Sequence, residues 1–161
     1  MRKGRFIDSF IYAVNGIKTA VKEERNMRFH LCTAFYVYLF SLFYDFTKTQ
    51  YAVITILITG VIALELLNSS LERCVERPSP DKYQIAGVVK DMAAGAVLIY
   101  SIGAAVGGIL LFWDVSVFGK MLRFFMARPL LLILLIVSLV AAAFFTFGKA
   151  VLMDVFRKKG K

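Results

Sequence analysis

Four long apolar segments constrain this chain more than any other feature of its sequence. They run from Phe29 to Phe46, Tyr51 to Glu72, Val88 to Trp113 and Leu130 to Leu152. About 20 apolar residues are enough for an α-helix to cross a bilayer, and hydrophobic residues make up 59% of the 161 positions. Because a spanning segment must satisfy its backbone polar groups internally, it is a helix or part of a closed barrel. The sequence therefore predicts an all-α integral membrane protein with four transmembrane helices.

The distribution of Lys and Arg orients these predicted spans. Both residue types are concentrated in residues 1–28, in the 73–90 loop and in the tail after residue 156. Cytoplasmic loops carry an excess of such residues, so we expect a multi-pass protein of the cell membrane (the inner or plasma membrane) with both termini in the cytoplasm. The net charge of +9 then reflects topology and attraction to anionic headgroups. No basic stripe with stacking aromatic residues indicates a nucleic-acid partner.

Two further segments are amphipathic. Apolar residues recur at helical spacing between Phe6 and Val21, with charged and polar residues between them, which predicts an amino-terminal helix lying on the membrane surface. Residues 114–128 interleave apolar side chains with three cations on the predicted outer side. We interpret this second segment as a helix in the interface.

The second apolar segment carries polar groups on one face. Glu65, Asn68 and Glu72 fall within a narrow arc of a helix with ~100° per residue, after an uncharged run from Tyr51 to Leu64. An ionised group at such a depth is costly and usually functional. Carboxylates and an amide suit divalent-cation binding or proton abstraction, and Glu24 lies on the same side of the predicted membrane. The alternative for Glu72 is a solvated helix end.

Other chemistries find less support in the sequence. Cys32 and Cys74 are both on the predicted reducing side and make a poor disulfide pair, and His30 has no partner at zinc-ligand spacing. No Walker A or protein-kinase motif is present. A transporter is disfavoured because the carboxylates cluster at one level and no inverted repeat is visible. A transporter and a non-catalytic assembly protein remain the alternatives to an enzyme.

Three stretches of the chain closely resemble the prokaryotic diacylglycerol kinase family. They are Asn15–Arg28, Glu65–Glu72 and Lys90–Val97, in that order and at the family's spacing. The resemblance covers about residues 5–113. It implies a surface helix, three transmembrane helices and a homotrimer with active sites between subunits. It also implies transfer of the γ-phosphate of ATP, with Mg²⁺ as cofactor, to the hydroxyl group of a membrane lipid.

The same resemblance assigns roles to individual residues. Glu65 matches the family's general base, with Asn68 as the amide beside it, and Glu24 and Glu72 match the carboxylates that hold Mg²⁺ on the phosphates. The nucleotide contacts that it implies are Arg5, Tyr12, Glu24, Glu72, Asp81, Lys82, Tyr83, Lys90 and Asp91. The lipid contacts that it implies are Asn26, Met27, Arg28, Phe29, His30 and Glu65.

The chain departs from the family at three places. Glu76 stands where the family usually has Asp, and Asp81-Lys82-Tyr83 replaces its Glu-Tyr-His, which affects the expected nucleotide contacts of this loop. Residues 116–161, with the fourth predicted span, have no counterpart in the three-span family. We therefore expect a lipid kinase domain in residues 1–115 and an extension in residues 116–161. The amino-terminal motif favours undecaprenol as the lipid substrate, with diacylglycerol as the alternative.

Overall fold

The fold consists of α-helices throughout the part of the chain that can be described. The computed structural model describes the backbone of residues 4–75 and 83–159, and the side chains of residues 6–75 and 85–148. The helices are α1 (Gly4–Glu23), α2 (Arg25–Ser41), α3 (Lys48–Cys74), α4 (Tyr83–Phe112), α5 (Val115–Met126) and α6 (Pro129–Lys159). The prediction of an all-α membrane protein is confirmed.

Three of these helices are long and apolar enough to cross a membrane within the described ranges. They are Lys48–Cys74, Ile85–Phe112 and Pro129–Gly148, which correspond to the second, third and fourth predicted spans. The first predicted span, Phe29–Phe46, has different bounds in the structure, because α2 begins at Arg25 and ends at Ser41. With 17 residues, α2 rises about 25 Å, at the lower limit for a spanning helix.

The amino-terminal amphipathic segment forms a helix, as predicted. α1 extends from Gly4 to Glu23, a few residues beyond the predicted Phe6–Val21. Its apolar side chains stay exposed in the isolated chain, among them Phe6, Phe10 and Ile17. An apolar helix face that none of the described residues covers fits a position in the membrane surface.

Helices α3 and α4 form the most extensive helix pair of the molecule. The Tyr100 ring on α4 lies against Gly60 on α3, and its hydroxyl group donates a hydrogen bond to the Ile56 carbonyl oxygen at 3.1 Å. A side chain at position 60 would overlap that ring. Gly107 similarly faces Leu57, whereas Gly103 has open space around it. Of the Gly103-x-x-x-Gly107 pair, only Gly107 therefore serves close helix packing.

An aromatic cluster closes one end of the α2–α3–α4 bundle. The Tyr44 hydroxyl group donates a hydrogen bond of 2.7 Å to the Phe112 carbonyl oxygen, and the Tyr44 ring stacks on Phe46. Phe46 also makes edge contacts with Tyr51 and Phe112. Trp113 beside the cluster is exposed. This arrangement agrees with the structural, belt-like role expected for aromatic residues at span ends.

The 114–128 segment also forms the predicted helix, which is α5. Asp114 caps its amino terminus by accepting hydrogen bonds from the backbone N–H groups of Ser116 and Val117, at 2.8 and 3.4 Å. A hydrogen bond from the Ser116 side chain, together with these backbone bonds, holds the pKa of Asp114 below its usual value. Phe43 in the loop after α2 packs against Phe124 and Phe125. α5 is thereby attached to the same end of the bundle as the aromatic cluster.

Candidate active site

The carboxylates and the amide on α3 face the interior of the molecule. Glu65 is only 2% exposed and Asn68 only 7%, whereas Glu72, one turn further along, is partly exposed. The Asn68 side-chain nitrogen donates a hydrogen bond to Glu72 Oε1 at 3.2 Å. Ser69, which is also buried, donates from its hydroxyl group to the Glu65 carbonyl oxygen at 2.9 Å. The three predicted residues thus form one stripe, and Glu72 is held by Asn68 rather than fully solvated.

Two buried oxygen atoms of this stripe have no hydrogen-bond partner among the residues that the structure describes. They are Glu65 Oε2 and Asn68 Oδ1. Leaving a buried polar atom unsatisfied costs about 1–3 kcal/mol, and more for a charged group. The Asn26 side chain from α2 interacts with the Glu65 carboxyl group but leaves Oε2 unpaired. An acceptor pair of this kind is suited to a substrate that brings its own donor groups.

The break between α1 and α2 brings a third carboxylate to the stripe. Glu24 is the N-cap residue of α2, with an extended backbone (φ −94°, ψ 124°) and no side-chain cap. Because the chain turns at this residue, the Glu24 side chain points toward α3, where its charge acts on Glu65 together with that of Glu72. The structure therefore places Glu24 and Glu72 within electrostatic range of Glu65.

Arg73 is a site residue that the sequence did not reveal. Its Nη2 atom contacts Glu23 Oε2 at 2.9 Å and donates to Glu24 Oε1 at 3.1 Å. Both pairs are partly exposed, and such pairs contribute little to stability. Their effect is to hold Glu24 beside the end of α3. The only signal in the sequence was the position of Arg73 directly after Glu72.

The donor set fits a magnesium ion bound together with a nucleotide. Among the side chains that the structure describes, no three His, Cys, Asp or Glu residues gather closely enough to hold a metal ion by themselves. Mg²⁺ usually takes only one or two protein carboxylates, since phosphates and water provide the other oxygen ligands. Glu24 and Glu72, whose charges both act on Glu65, satisfy that smaller requirement, and Asn68 Oδ1 is a further oxygen without a partner among the described residues.

The structure describes the other predicted nucleotide residues to different extents. Tyr12 is exposed on α1, and Lys90 and Asp91 are exposed near the start of α4. Arg5 and Tyr83 belong to the first turns of α1 and α4, and only their backbone is described. Asp81 and Lys82, like the departure at Glu76, lie outside the described residues.

The predicted lipid contacts divide into two groups. Met27 and Arg28 are buried in helix contacts. Phe29 and His30 line an apolar cavity of about 500 Å³ between α2, α3, α4 and α5. Val61, one helical turn before Glu65, lines the same cavity, and Phe118 of α5 lies at its other end. The cavity therefore begins one helical turn from the carboxylate stripe and continues along the bundle.

The sequence of this chain is similar to those of known proteins. The sequence profile of the prokaryotic diacylglycerol kinase family matches residues 11–112. The undecaprenol kinase of Bacillus subtilis is 33% identical over 108 residues, which are 67% of this chain and 88% of that protein. The diacylglycerol kinase of Haemophilus influenzae is 32% identical over 108 residues, 66% of this chain and 92% of that protein. The diacylglycerol kinase of Synechocystis is 38% identical over 105 residues, 64% of this chain and 60% of that protein. No solved structure matches the chain.

These relationships define the class of the protein as a membrane-embedded lipid kinase. The chain belongs to the prokaryotic diacylglycerol kinase family. The family match ends at the last residue of α4, so α5 and α6 lie beyond it.

Proposed function

We propose that this protein transfers the γ-phosphate of ATP, in the presence of Mg²⁺, to the terminal hydroxyl group of undecaprenol. One observation carries the proposal: the buried Glu65 carboxyl group, one oxygen of which is paired with no described residue, lies one helical turn from an apolar cavity and within electrostatic range of two further carboxylates. A lipid whose chain occupies the cavity presents its hydroxyl group near Glu65. A nucleotide bound at Glu24 and Glu72 presents its terminal phosphate from the other side.

Phosphoryl transfer requires little covalent chemistry from a protein and depends on positioning and charge neutralisation. In the proposed reaction Glu65 accepts the proton of the lipid hydroxyl group, whose oxygen attacks the γ-phosphorus while the bond to ADP breaks. Asn68 orients Glu72 through their hydrogen bond. When bound, Mg²⁺ neutralises the phosphate charge, and Glu24 and Glu72 are the residues that would hold it.

The remaining nucleotide contacts are proposed from the family resemblance. They are Arg5, Tyr12, Asp81, Lys82, Tyr83, Lys90 and Asp91. Lys90 and Asp91 extend from the first part of α4 as exposed side chains, which leaves them accessible to a water-soluble nucleotide. A cation such as Lys90 is suited to phosphate binding.

Undecaprenol and diacylglycerol are both chemically suited to the apolar cavity, because each combines a large apolar part with one terminal hydroxyl group. Undecaprenol is favoured by the amino-terminal motif, and a protein named undecaprenol kinase is 33% identical to this chain. Diacylglycerol is the second candidate, since a diacylglycerol kinase is 32% identical over the same number of residues.

We also propose that the protein is a homotrimer in the cell membrane and that both of its termini lie in the cytoplasm. Contacts between α2 and α6 support the placement of the termini. Arg28, near the start of α2, contacts Thr146, whereas Tyr36, two turns further along, contacts Ser138. α2 and α6 are therefore antiparallel, and the start of α2 lies at the same end of the bundle as the later part of α6. The mass of the detergent-solubilised particle tests the trimer.

A competition assay tests the function. Purified protein is supplied with γ-labelled ATP, Mg²⁺ and equal amounts of undecaprenol and diacylglycerol in mixed micelles, and the labelled lipids are separated. We expect the label mainly in undecaprenyl phosphate. Label mainly in phosphatidic acid would assign diacylglycerol instead. Absence of label from both lipids would reject the kinase and favour a non-catalytic assembly protein or a transporter.

A further inference from the structure

Arg28 is a buried cation that forms no ion pair with a carboxylate of the described side chains. It is 5% exposed, and its guanidinium group donates three hydrogen bonds, all to backbone carbonyl oxygens. Nη1 contacts Val21 O at 3.1 Å and Lys22 O at 3.2 Å, and Nη2 contacts Thr146 O at 3.4 Å. A buried charge is costly unless its hydrogen bonds are made. The position of Arg28 therefore depends on both α1 and α6.

The first two of these bonds fix the break between α1 and α2. Val21 and Lys22 belong to the last turn of α1, whose carbonyl groups lack partners within the helix and form the negative end of its dipole. Arg28 lies in the first turns of α2 and satisfies them from there. Glu24 and Asn26 lie between the joined segments, and both side chains act on Glu65. Arg28 thus sets the course of the backbone that carries these two residues.

The third bond comes from α6, which contacts α2 along a stripe of small residues. The stripe consists of Ser138, Ala142 and Thr146. The Tyr36 hydroxyl group donates to Ser138 Oγ at 3.1 Å, and the Thr146 hydroxyl group lies 3.7 Å from Cys32 Sγ. Ala142 lies between these two contacts and borders the same crevices between α2 and α6. Their spacing of four residues places the three on one face of α6.

We propose that α6 is a positioning element of the kinase site, which acts through Arg28 on Glu24. The proposal rests on the function proposed above. By contributing the Thr146 carbonyl oxygen, α6 accepts the hydrogen bond of Arg28 Nη2 and so helps to fix the Glu24 carboxylate where Mg²⁺-nucleotide is to bind. Residues beyond the family match would then contribute to the site without touching the substrate.

The test places a bulky side chain within the α2–α6 contact of the full-length protein. Ala142→Phe is compared with Val140→Phe, because Val140 lies on the exposed side of the same helix. Mutation of a residue that orients a metal ligand typically lowers metal affinity or activity by about 10–100-fold. We expect Ala142→Phe to raise the KM for MgATP by about tenfold, with partial recovery of the rate at high Mg²⁺. The KM of Ala142→Phe for the lipid should not change. In Val140→Phe, neither the KM for MgATP nor the KM for the lipid should change.

A general loss of folded protein would lower the apparent kcat and leave the KM for MgATP unchanged, and that result would overturn the proposal.

Coupling to Arg28 is measured with Arg28→Lys and the double variant. If α6 acts through Arg28, the double variant should differ from the product of the single effects by more than about twofold. Multiplicative effects would show that α6 acts by another route and would also overturn the proposal. If Ala142→Phe does not accumulate, the same assays use Tyr36→Phe, which removes only the hydrogen bond to Ser138.

The position of α6 is measured independently of activity through Cys32, which lies beside Thr146. The exposed Cys74 is first replaced in Cys74→Ser. Maleimide should then label Cys32 faster in Ala142→Phe than in Val140→Phe. Equal rates would show that the stripe does not hold α6, which contradicts the proposal. If the parent protein transfers no labelled phosphate from ATP to either lipid, the proposed function fails. The rates at which maleimide labels Cys32 still report whether α6 packs against α2 through the stripe.

Discussion

Replacement of the buried acid by its amide, Glu65→Gln, separates the catalytic role of this residue from a structural one. The substitution keeps the size of the side chain and its ability to accept a hydrogen bond from Asn26. It removes the group proposed to accept the hydroxyl proton, and the loss of a positioned base typically lowers the rate about 10²–10⁴-fold. This corresponds to about 3–5 kcal/mol of lost transition-state stabilisation.

Although Glu65→Gln should lower the rate, it should leave the stability of the protein unchanged or raise it. Glu65 is almost fully buried, one of its oxygens has no partner, and the charges of Glu24 and Glu72 act on it. A neutral amide avoids both the desolvation and the repulsion of a carboxylate at this position. We therefore expect an unchanged or higher Tm together with a nearly inactive protein.

The assay compares single-turnover phosphorylation of the lipid with equilibrium binding of MgATP in detergent. Glu65→Gln should bind MgATP within about threefold of the parent protein while its rate falls by at least about a hundredfold. A rate close to that of the parent would refute the assignment of Glu65 as the base. Loss of MgATP binding equal to the loss of rate would instead place Glu65 in the nucleotide site.

Two of three other predictions compare a pair of matched positions, and the third uses the pH dependence of a single residue. Glu24→Gln should raise the Mg²⁺ concentration required for half-maximal activity, whereas Glu23→Gln, which removes the neighbouring contact to the same arginine, should give a titration that overlays the parent's. Gly60→Ala should displace the tyrosine ring of α4 that lies against it and destabilise the protein by about 1–3 kcal/mol, whereas Gly103→Ala, with open space around it, should unfold like the parent in a detergent–denaturant titration. Asp114→Ala should lower the Tm at neutral pH, since the carboxylate caps α5. Because the folded-state pKa of Asp114 is depressed, its contribution is fully present above the unfolded-state pKa. The difference in Tm should therefore disappear as the pH falls through the folded-state value, and a difference that persists in acid would exclude the carboxylate as its cause.

The long helices were predictable because length and hydropathy alone define them. Runs such as those in α3, α4 and α6 have few structural alternatives in hydrocarbon, and their approximate positions follow directly from the sequence. The bounds of α2 were not predictable in the same way. Its aromatic residues continue past Ser41 to Phe46, so hydropathy does not mark the helix end. That end depends on tertiary contacts such as the Tyr44–Phe112 hydrogen bond.

The candidate site was predictable to the extent that it lies on one helix. Glu65, Asn68 and Glu72 share a face by helical periodicity, so their proximity follows from spacing alone. The contribution of Glu24 depends on the break before α2, and that of Arg73 depends on how α1 approaches the end of α3. Both arise from contacts between segments far apart in the chain, for which periodicity gives no information. Their roles in metal and nucleotide binding remain predictions.

The depth of the acid on α3 also bears on how the protein is made. During synthesis this helix enters the bilayer before α4 and α6 exist to cover it. A central Asp, Lys or Arg opposes insertion by about 2.5–3.5 kcal/mol, whereas each Val, Ile or Leu favours it by about 0.3–0.6 kcal/mol. Eight such aliphatic residues between positions 51 and 64 contribute about 2.4–4.8 kcal/mol on this scale. The run before Glu65 is thus long enough for the nascent helix to insert by itself with one acid near its end. A second acid one turn deeper, at Val61, would exhaust that margin and make insertion depend on the helices synthesised afterwards.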